Sequence, residues 1–132
     1  MVVADACSIV DFVIRRRARG DWVADRLAEA GIAHSPHLVD VEVVSALRRL
    51  VHRGSLEVQA AGRALELFRD LRVQRYPMTL FLSRIWALRE TLSAYDAAYI
   101  VLAEALDLPL ITTDARLART HGHQAHVIAF TP

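Results

Sequence analysis

Hydrophobic residues along the chain fall into short runs separated by longer segments with helical spacing. The short runs lie in VVAD at the start, then in IAHSP, RVQRYP, LPLIT and, near the end, HVIAF. The longer segments carry apolar residues three or four positions apart, as in SLEVQAAGRALELFRDL. This alternation of strands with helices is typical of a parallel sheet covered on both faces. We therefore expect an α/β fold with a central, mostly parallel β-sheet and helices on both sides of it.

Glycine, proline and capping residues predict where the helices begin and end. Gly20, Gly31 and Gly54 are interpreted as helix stops, and Ser55 and Ser93 as N-caps. The predicted helical segments cover residues 7–20, 21–31, 37–54, 55–71, 78–92, 93–107 and 115–122.

Length and composition indicate one globular domain. The 132 residues are 54% hydrophobic and 23% charged, which is enough to bury a core without a disulfide or a structural metal. We expect residues 1–132 to form a single domain. The only cysteine, Cys7, excludes an internal disulfide and fits a reducing compartment. No apolar run is long enough to span a membrane and no secretory leader is present, so the expected location is the cytoplasm.

The basic residues exclude several classes of enzyme. All 16 are arginine, and the formal net charge is +1. Schiff-base enzymes, P-loop nucleotide binders, phosphoacceptor receivers and haloacid-type phosphotransferases all need a lysine in the site. A dinucleotide binder would need glycines after the first strand, where this chain has Asp5, Ala6, Cys7 and Ser8.

The most informative stretch is SAYDAAYIVLAEALDLPLITTD, residues 93–114. It predicts a helix that is apolar on every side, and hence buried, followed by a short buried strand. Asp96 lies in the first turn of this helix, and Asp114 directly follows the strand. In open α/β sheets, ligands bind outside the carboxyl ends of the strands. The two carboxylates are therefore candidates for a ligand site.

Two more acids belong to the same set. Asp5 ends the first predicted strand, and Glu42 lies in the third helix among small or apolar neighbours. Taken singly, each acid has a structural explanation, as a helix cap, a turn residue or part of a solvated face. Together, carboxylates at one edge of a sheet would repel one another unless a divalent cation held them ionised. An all-oxygen site of this kind suits magnesium or manganese.

The stretches that carry these acids resemble PIN-domain proteins and, more closely, the VapC-type ribonuclease toxins of type II toxin–antitoxin systems. The resemblance lies in VVADACSIVDFVI, LVDVEVVSALRRL and above all LSAYDAAYIVLAEALDLPLITTDARLA, and it covers essentially the whole chain. Members of the family often carry serine or threonine two positions after the first acid. This chain has Cys7 there, with Ser8 beside it as the candidate accessory hydroxyl.

The resemblance implies a magnesium-dependent endoribonuclease, with manganese as a possible substitute. Its catalytic and metal-binding acids would be Asp5, Glu42, Asp96 and Asp114, with Asp5 and Asp96 as the main ligands. Thr112 matches a family threonine that orients a ligand or water. One or two metal ions are compatible with this set.

The resemblance also implies partners. These are an RNA substrate and a small antitoxin, whose C-terminal segment would wrap the early helices and direct a basic side chain towards the acids. We also expect a homodimer, with the helix that contains Trp86 at its interface, and no membrane association. Arg48, Arg49 and Arg53 share a predicted helix with Glu42 and are candidate contacts for RNA phosphates. The alternative is a catalytically silent PIN-like module that acts through a protein partner.

Overall fold

The computed structural model describes residues 1–132 and contains five strands and six α-helices. The strands are β1 (Val2–Ala4), β2 (Ala33–Pro36), β3 (Val73–Tyr76), β4 (Leu110–Thr112) and β5 (Val127–Ala129). The helices are α1 (Ala6–Val13), α2 (Arg17–Ala30), α3 (Val39–His52), α4 (Val58–Asp70), α5 (Leu82–Ala87) and α6 (Ala94–Leu106). Short 3₁₀ turns lie at Thr79–Phe81 and Leu117–Arg119.

The strands form one sheet in the order β3-β2-β1-β4-β5. Every neighbouring pair is parallel, which confirms the predicted α/β class. The first two crossovers step from β1 to β2 and on to β3, and the third returns across the sheet to β4. The direction of winding therefore reverses between β1 and β4. A reversal of this kind opens a crevice at the carboxyl ends of the two strands, where α/β proteins bind ligands.

The helices lie on both faces of the sheet. Crossovers between parallel strands are right-handed, so the helices before and after the reversal must cover opposite faces. In agreement, α6 packs on β1, β2 and β4 and is supported by α5, whereas α1 packs against α2, α3 and α4. Helix α6 is buried continuously from Ala97 to Ala103, which explains why its sequence is apolar on every side. No helix combines the length and apolar character needed to cross a bilayer.

The first helix boundary differs from the prediction. Helix α1 ends at Val13, and the chain turns through Arg15, which has a φ of +58°. Helix α2 then begins at Arg17, so Gly20 lies inside a helix and does not stop one. A Cβ atom at Gly20 would lie 2.7 Å from the carbonyl oxygen of Asp11. This glycine therefore serves the close packing of α2 on α1 and not a turn.

Three other predicted helices, over residues 55–71, 78–92 and 115–122, were too long. Helix α4 begins after Glu57, so Ser55 does not cap it. The segment 78–92 contains a 3₁₀ turn and only a short α5. The segment 115–122 forms a 3₁₀ turn in place of a helix. Leu88, Leu92 and Leu117 are nevertheless buried, so these apolar residues pack on the core from turns and not from longer helices.

Candidate active site

Asp5 lies at the carboxyl end of β1, inside the crevice between β1 and β4, and is 6% exposed. One carboxylate oxygen accepts the backbone N–H of Ser8 at 2.9 Å, which makes Asp5 the N-cap of α1. The other oxygen accepts the hydroxyl of Thr112. Burial raises the pKa of Asp5 to about 6 despite these hydrogen bonds, and the negative charge of Asp114 adds to the rise.

Thr112 connects the first acid to the last. Its hydroxyl donates to Asp5 and also accepts the backbone N–H of Asp114 at 3.0 Å. Because β1 and β4 are adjacent, this fully buried side chain spans the reversal point of the sheet. The position and orientation of Asp5 therefore depend on the turn that carries Asp114.

Asp96 enters the site from α6. Its backbone N–H donates to the hydroxyl of Ser93 at 3.1 Å, which confirms the predicted N-cap. The Arg116 guanidinium donates to Asp96 Oδ2 at 3.3 Å and to Asp114 Oδ2 at 3.0 Å. One arginine therefore joins two of the predicted acids, and its hydrogen bond to Asp114 and the two negative charges raise the pKa of Arg116. The sequence analysis missed this residue, although an arginine two positions after Asp114 was a visible signal.

Glu42 lies in the first turn of α3 and is held by a residue that the sequence analysis also missed. The hydroxyl of Tyr99 on α6 donates to Glu42 Oε1 at 2.7 Å. Burial raises the pKa of Glu42, the hydrogen bond from Tyr99 lowers it, and the charge of Asp96 raises it further. Burial and the Glu42 charge raise the pKa of Tyr99, so its hydroxyl remains a donor. Tyr99 was detectable as a polar hydroxyl in the continuously apolar part of the helix.

The four acids lie around one edge of the sheet, but they do not form a closed coordination shell. No three His, Cys, Asp or Glu side chains are close enough together to hold a metal ion. The donor set nevertheless fits a hard divalent cation, since all its groups are carboxylates and Asp96 and Asp114 already share a bound positive charge. Burial is the main cause of the raised pKa of Asp5, and the negative charge of Asp114 adds a smaller rise.

Next to the acids lies an open cavity of about 610 Å³. Glu42 and Asp114 lie in its wall, together with apolar residues of α1 and α3. Six arginines also line it: Arg16, Arg19, Arg49, Arg53, Arg116 and Arg119. We call this cavity the arginine groove. Arg49 and Arg53 were predicted as phosphate contacts, whereas Arg48 does not line the groove.

Cys7 also lines the arginine groove. Although the residue is exposed, partial desolvation of the thiol and the charge of the neighbouring Asp5 raise its pKa. The side chain is therefore a neutral thiol at neutral pH and not an activated nucleophile. Ser8 is fully buried and donates its hydroxyl to the Ile111 carbonyl oxygen at 3.2 Å, so it supports β4 from below the site.

Comparison with known proteins identifies the family. The PIN-domain family model matches residues 2–122. The chain is 44% identical over 127 residues to VapC ribonuclease Mb0985 of Mycobacterium bovis, with 96% of each chain covered. It is 39% identical over 127 residues to Ribonuclease VapC12 of Mycobacterium tuberculosis, covering 96% of this chain and 97% of the relative.

Solved structures agree with this fold. PAE2754 from Pyrobaculum aerophilum superposes with a TM-score of 0.62 and 24% identity, covering 89% of this chain and 83% of the other. VapC20 of Mycobacterium tuberculosis, described as a sarcin-ricin loop cleaving toxin, gives a TM-score of 0.62 and 16% identity, covering 92% and 97%. The chain therefore belongs to the PIN-domain family and, within it, to the VapC group.

Proposed function

We propose that this protein is a magnesium-dependent endoribonuclease and the toxin of a type II toxin–antitoxin pair. The observation that supports this best is the buried Asp5 carboxylate at the reversal point of the sheet, linked through Thr112 to Asp114. Its curated relatives are named as VapC ribonucleases, and the chain matches nearly their whole length. The proposal treats residues 1–132 as one domain that acts in the cytoplasm.

Asp5, Glu42, Asp96 and Asp114 would hold the cation, with manganese as a possible substitute for magnesium. When bound, such a cation activates water for attack and neutralises charge on the scissile phosphate. The protein groups orient the acids for this role. Thr112 fixes one oxygen of Asp5, and Tyr99 fixes one oxygen of Glu42.

RNA would enter along the arginine groove, which opens directly onto Glu42 and Asp114. Arginine guanidinium groups bind phosphate oxygens in a bidentate geometry. Exposed side chains such as Arg19, Arg53 and Arg119 are placed to contact the backbone of a bound strand. Contacts of this type set affinity and salt dependence but do not select a sequence.

We also propose two protein partners. A small antitoxin would cover the early helices with an amphipathic C-terminal segment and neutralise the acids with a basic side chain. A second copy of the chain would cover the exposed apolar side chains of the 3₁₀ turn and α5, namely Leu80, Leu82 and Trp86.

The second candidate function is a binding module without catalysis. A magnesium titration of RNA cleavage by the purified protein separates the two, with Asp96→Asn as the matched control. We expect cleavage to require millimolar magnesium, to stop reversibly with EDTA and to be lost in the variant. Cleavage that is independent of both magnesium and Asp96 would contradict the proposed site. A folded protein that binds its partner but leaves RNA intact at every magnesium concentration would favour the binding module.

A further inference from the structure

Arg116 makes three contacts with the acids of the site. Its guanidinium donates to Asp96 and to Asp114, and its backbone N–H donates to the second oxygen of Asp114 at 3.0 Å. Both carboxylate oxygens of Asp114 are therefore held by one residue. This arrangement differs from an ordinary surface ion pair, in which one flexible side chain meets one other.

The surroundings of Arg116 allow its side chain to leave while its backbone stays in place. The side chain is 67% exposed, whereas those of Asp96 and Asp114 are 29% and 30% exposed. The next residue, Leu117, is 2% exposed and anchors the chain in the core. The guanidinium thus approaches the acids from the solvent side, and the arginine groove that it lines leaves open space beside it.

The guanidinium contacts the Oδ2 atoms of Asp96 and Asp114, which are oxygens that would serve a divalent cation. A guanidinium and a divalent cation at these oxygens repel each other and compete for lone pairs, so each weakens the binding of the other. Without any cation, the two carboxylates would repel each other instead. A resident positive charge resolves this conflict when the divalent cation is absent.

We propose that Arg116 is the resident counter-cation of the Asp96–Asp114 pair and that a divalent cation binds these residues by displacing its guanidinium. Arg116 is then a positioning residue: it keeps the two carboxylates together before the cation arrives, and it weakens cation binding by competing for the site. The inference rests on the proposed function, in that Asp96 and Asp114 must be cation ligands.

The test is a titration of the full-length protein with Mn²⁺, measured by the EPR signal of the free ion. Arg116→Gln should bind Mn²⁺ roughly three- to tenfold more tightly than the wild type, because the competing ion pairs are gone. Arg119→Gln is the matched control, since it removes an arginine of the same groove that contacts neither acid. It should change the affinity by less than about twofold through screened charge alone. Arg116→Lys keeps the positive charge but loses the planar guanidinium that can contact two carboxylates at once. Its affinity for Mn²⁺ should lie between those of the wild type and Arg116→Gln.

A second measurement follows the guanidinium directly. The side-chain Nε–Hε NMR signal that disappears in Arg116→Gln is that of Arg116, and it should shift on addition of Mg²⁺ to the wild type. Equal or weaker Mn²⁺ binding by Arg116→Gln than by Arg119→Gln would overturn the inference, as would an Arg116 signal that does not move at saturating Mg²⁺. If neither the wild type nor any variant binds Mn²⁺, the proposed cation site fails and the inference fails with it.

Discussion

At the scale of single residues, Asp5 shows the conflict that this site must resolve. Burial opposes its ionisation, while the Ser8 N–H and the Thr112 hydroxyl support it. Burial prevails and raises the pKa of Asp5 from 3.8 to about 6. A folded-state pKa above the unfolded value means that the folded protein holds a proton that the unfolded chain has released. The stability contributed by Asp5 is therefore complete below about pH 4 and is lost as the pH rises through about 6, when no divalent cation is present.

The first prediction follows from the loss of stability that accompanies ionisation of Asp5. Asp5→Asn should stabilise the cation-free protein at pH 7 by ~1–3 kcal/mol, because the amide carries no charge to bury. The gain should vanish near pH 4, where the wild-type carboxyl is protonated. Urea unfolding at the two pH values measures it, and Asp21→Asn, an exposed acid on α2, is the control. RNA cleavage should be abolished in the stabilised variant. Equal destabilisation at both pH values would show that the carboxyl is needed only for its hydrogen bonds.

A second prediction concerns the hydroxyl that supports Asp5. Thr112→Val keeps the side-chain shape but removes both the donor to Asp5 and the acceptor for the Asp114 N–H. We expect a loss of ~1–3 kcal/mol in the free energy of unfolding, since buried partners are left unpaired. Thr112→Ser retains the hydroxyl and should restore most of that loss. If the serine variant loses as much stability as the valine variant, the retained hydroxyl gives no benefit and the hydrogen bonds of Thr112 are not what stabilises the fold.

The two site residues that were not predicted from the sequence, Tyr99 and Arg116, were missed for the same reason. Glu42, Asp96 and the other acids were visible because a carboxylate in an apolar segment is costly without a partner. Tyr99 contacts a residue 57 positions away, and Arg116 joins Asp114, two positions away, to Asp96, 20 positions away. The long-range pairings depend on where the helices come to lie, and no spacing rule along one chain predicts them.

At the scale of elements, the carboxyl edge of the sheet explains why the four acids meet. Helices α1 and α3 begin where β1 and β2 end, so Asp5 and Glu42 fall at that edge. Helix α6 runs back across the sheet before β4, so its first turn, with Asp96, lies at the same edge. The alternating pattern in the sequence was sufficient to predict this arrangement. It was not sufficient to place the break after α1, because Arg15 adopts a positive φ without being a glycine.

The third prediction tests the role assigned to Gly20. Gly20→Ala should destabilise the protein by ~1–3 kcal/mol, because the added methyl group meets the Asp11 carbonyl and forces α2 away from α1. Gly62→Ala is the matched control, since Gly62 lies within α4 with nothing in reach of an added Cβ. Alanine there should stabilise by ~0.5–1 kcal/mol through helix propensity. Thermal unfolding of both variants gives the comparison. Two shifts of the same sign would mean that Gly20 is not a packing glycine.

At the scale of the whole molecule, the α/β class followed from the pattern of apolar residues, but the strand order did not. Alternating strands and helices permit several orders of a parallel sheet, and only packing of the crossovers selects one. The order found here puts β1 and β4 side by side at the centre, which brings Asp5, Thr112 and Asp114 into one crevice. The geometry of the site thus depends on the strand order, which local residue patterns do not determine.

The last prediction concerns the surface that the fold leaves open. Leu80 is 91% exposed and Trp86 is 66% exposed, on consecutive elements near α6. The Arg89 guanidinium lies 4.6 Å from the centre of the Trp86 ring, and this cation–π contact restricts the orientation of the ring. A tryptophan fixed in this way presents a preorganised apolar face, which favours association with a second copy. We expect the wild type to elute as a dimer in size-exclusion chromatography with light scattering, and Trp86→Glu to elute as a monomer with unchanged helix content. Val58→Glu, an exposed apolar position on α4, should remain dimeric. A wild type that stays monomeric at high micromolar concentration, or a Trp86→Glu variant that still dimerises, would rule out this interface.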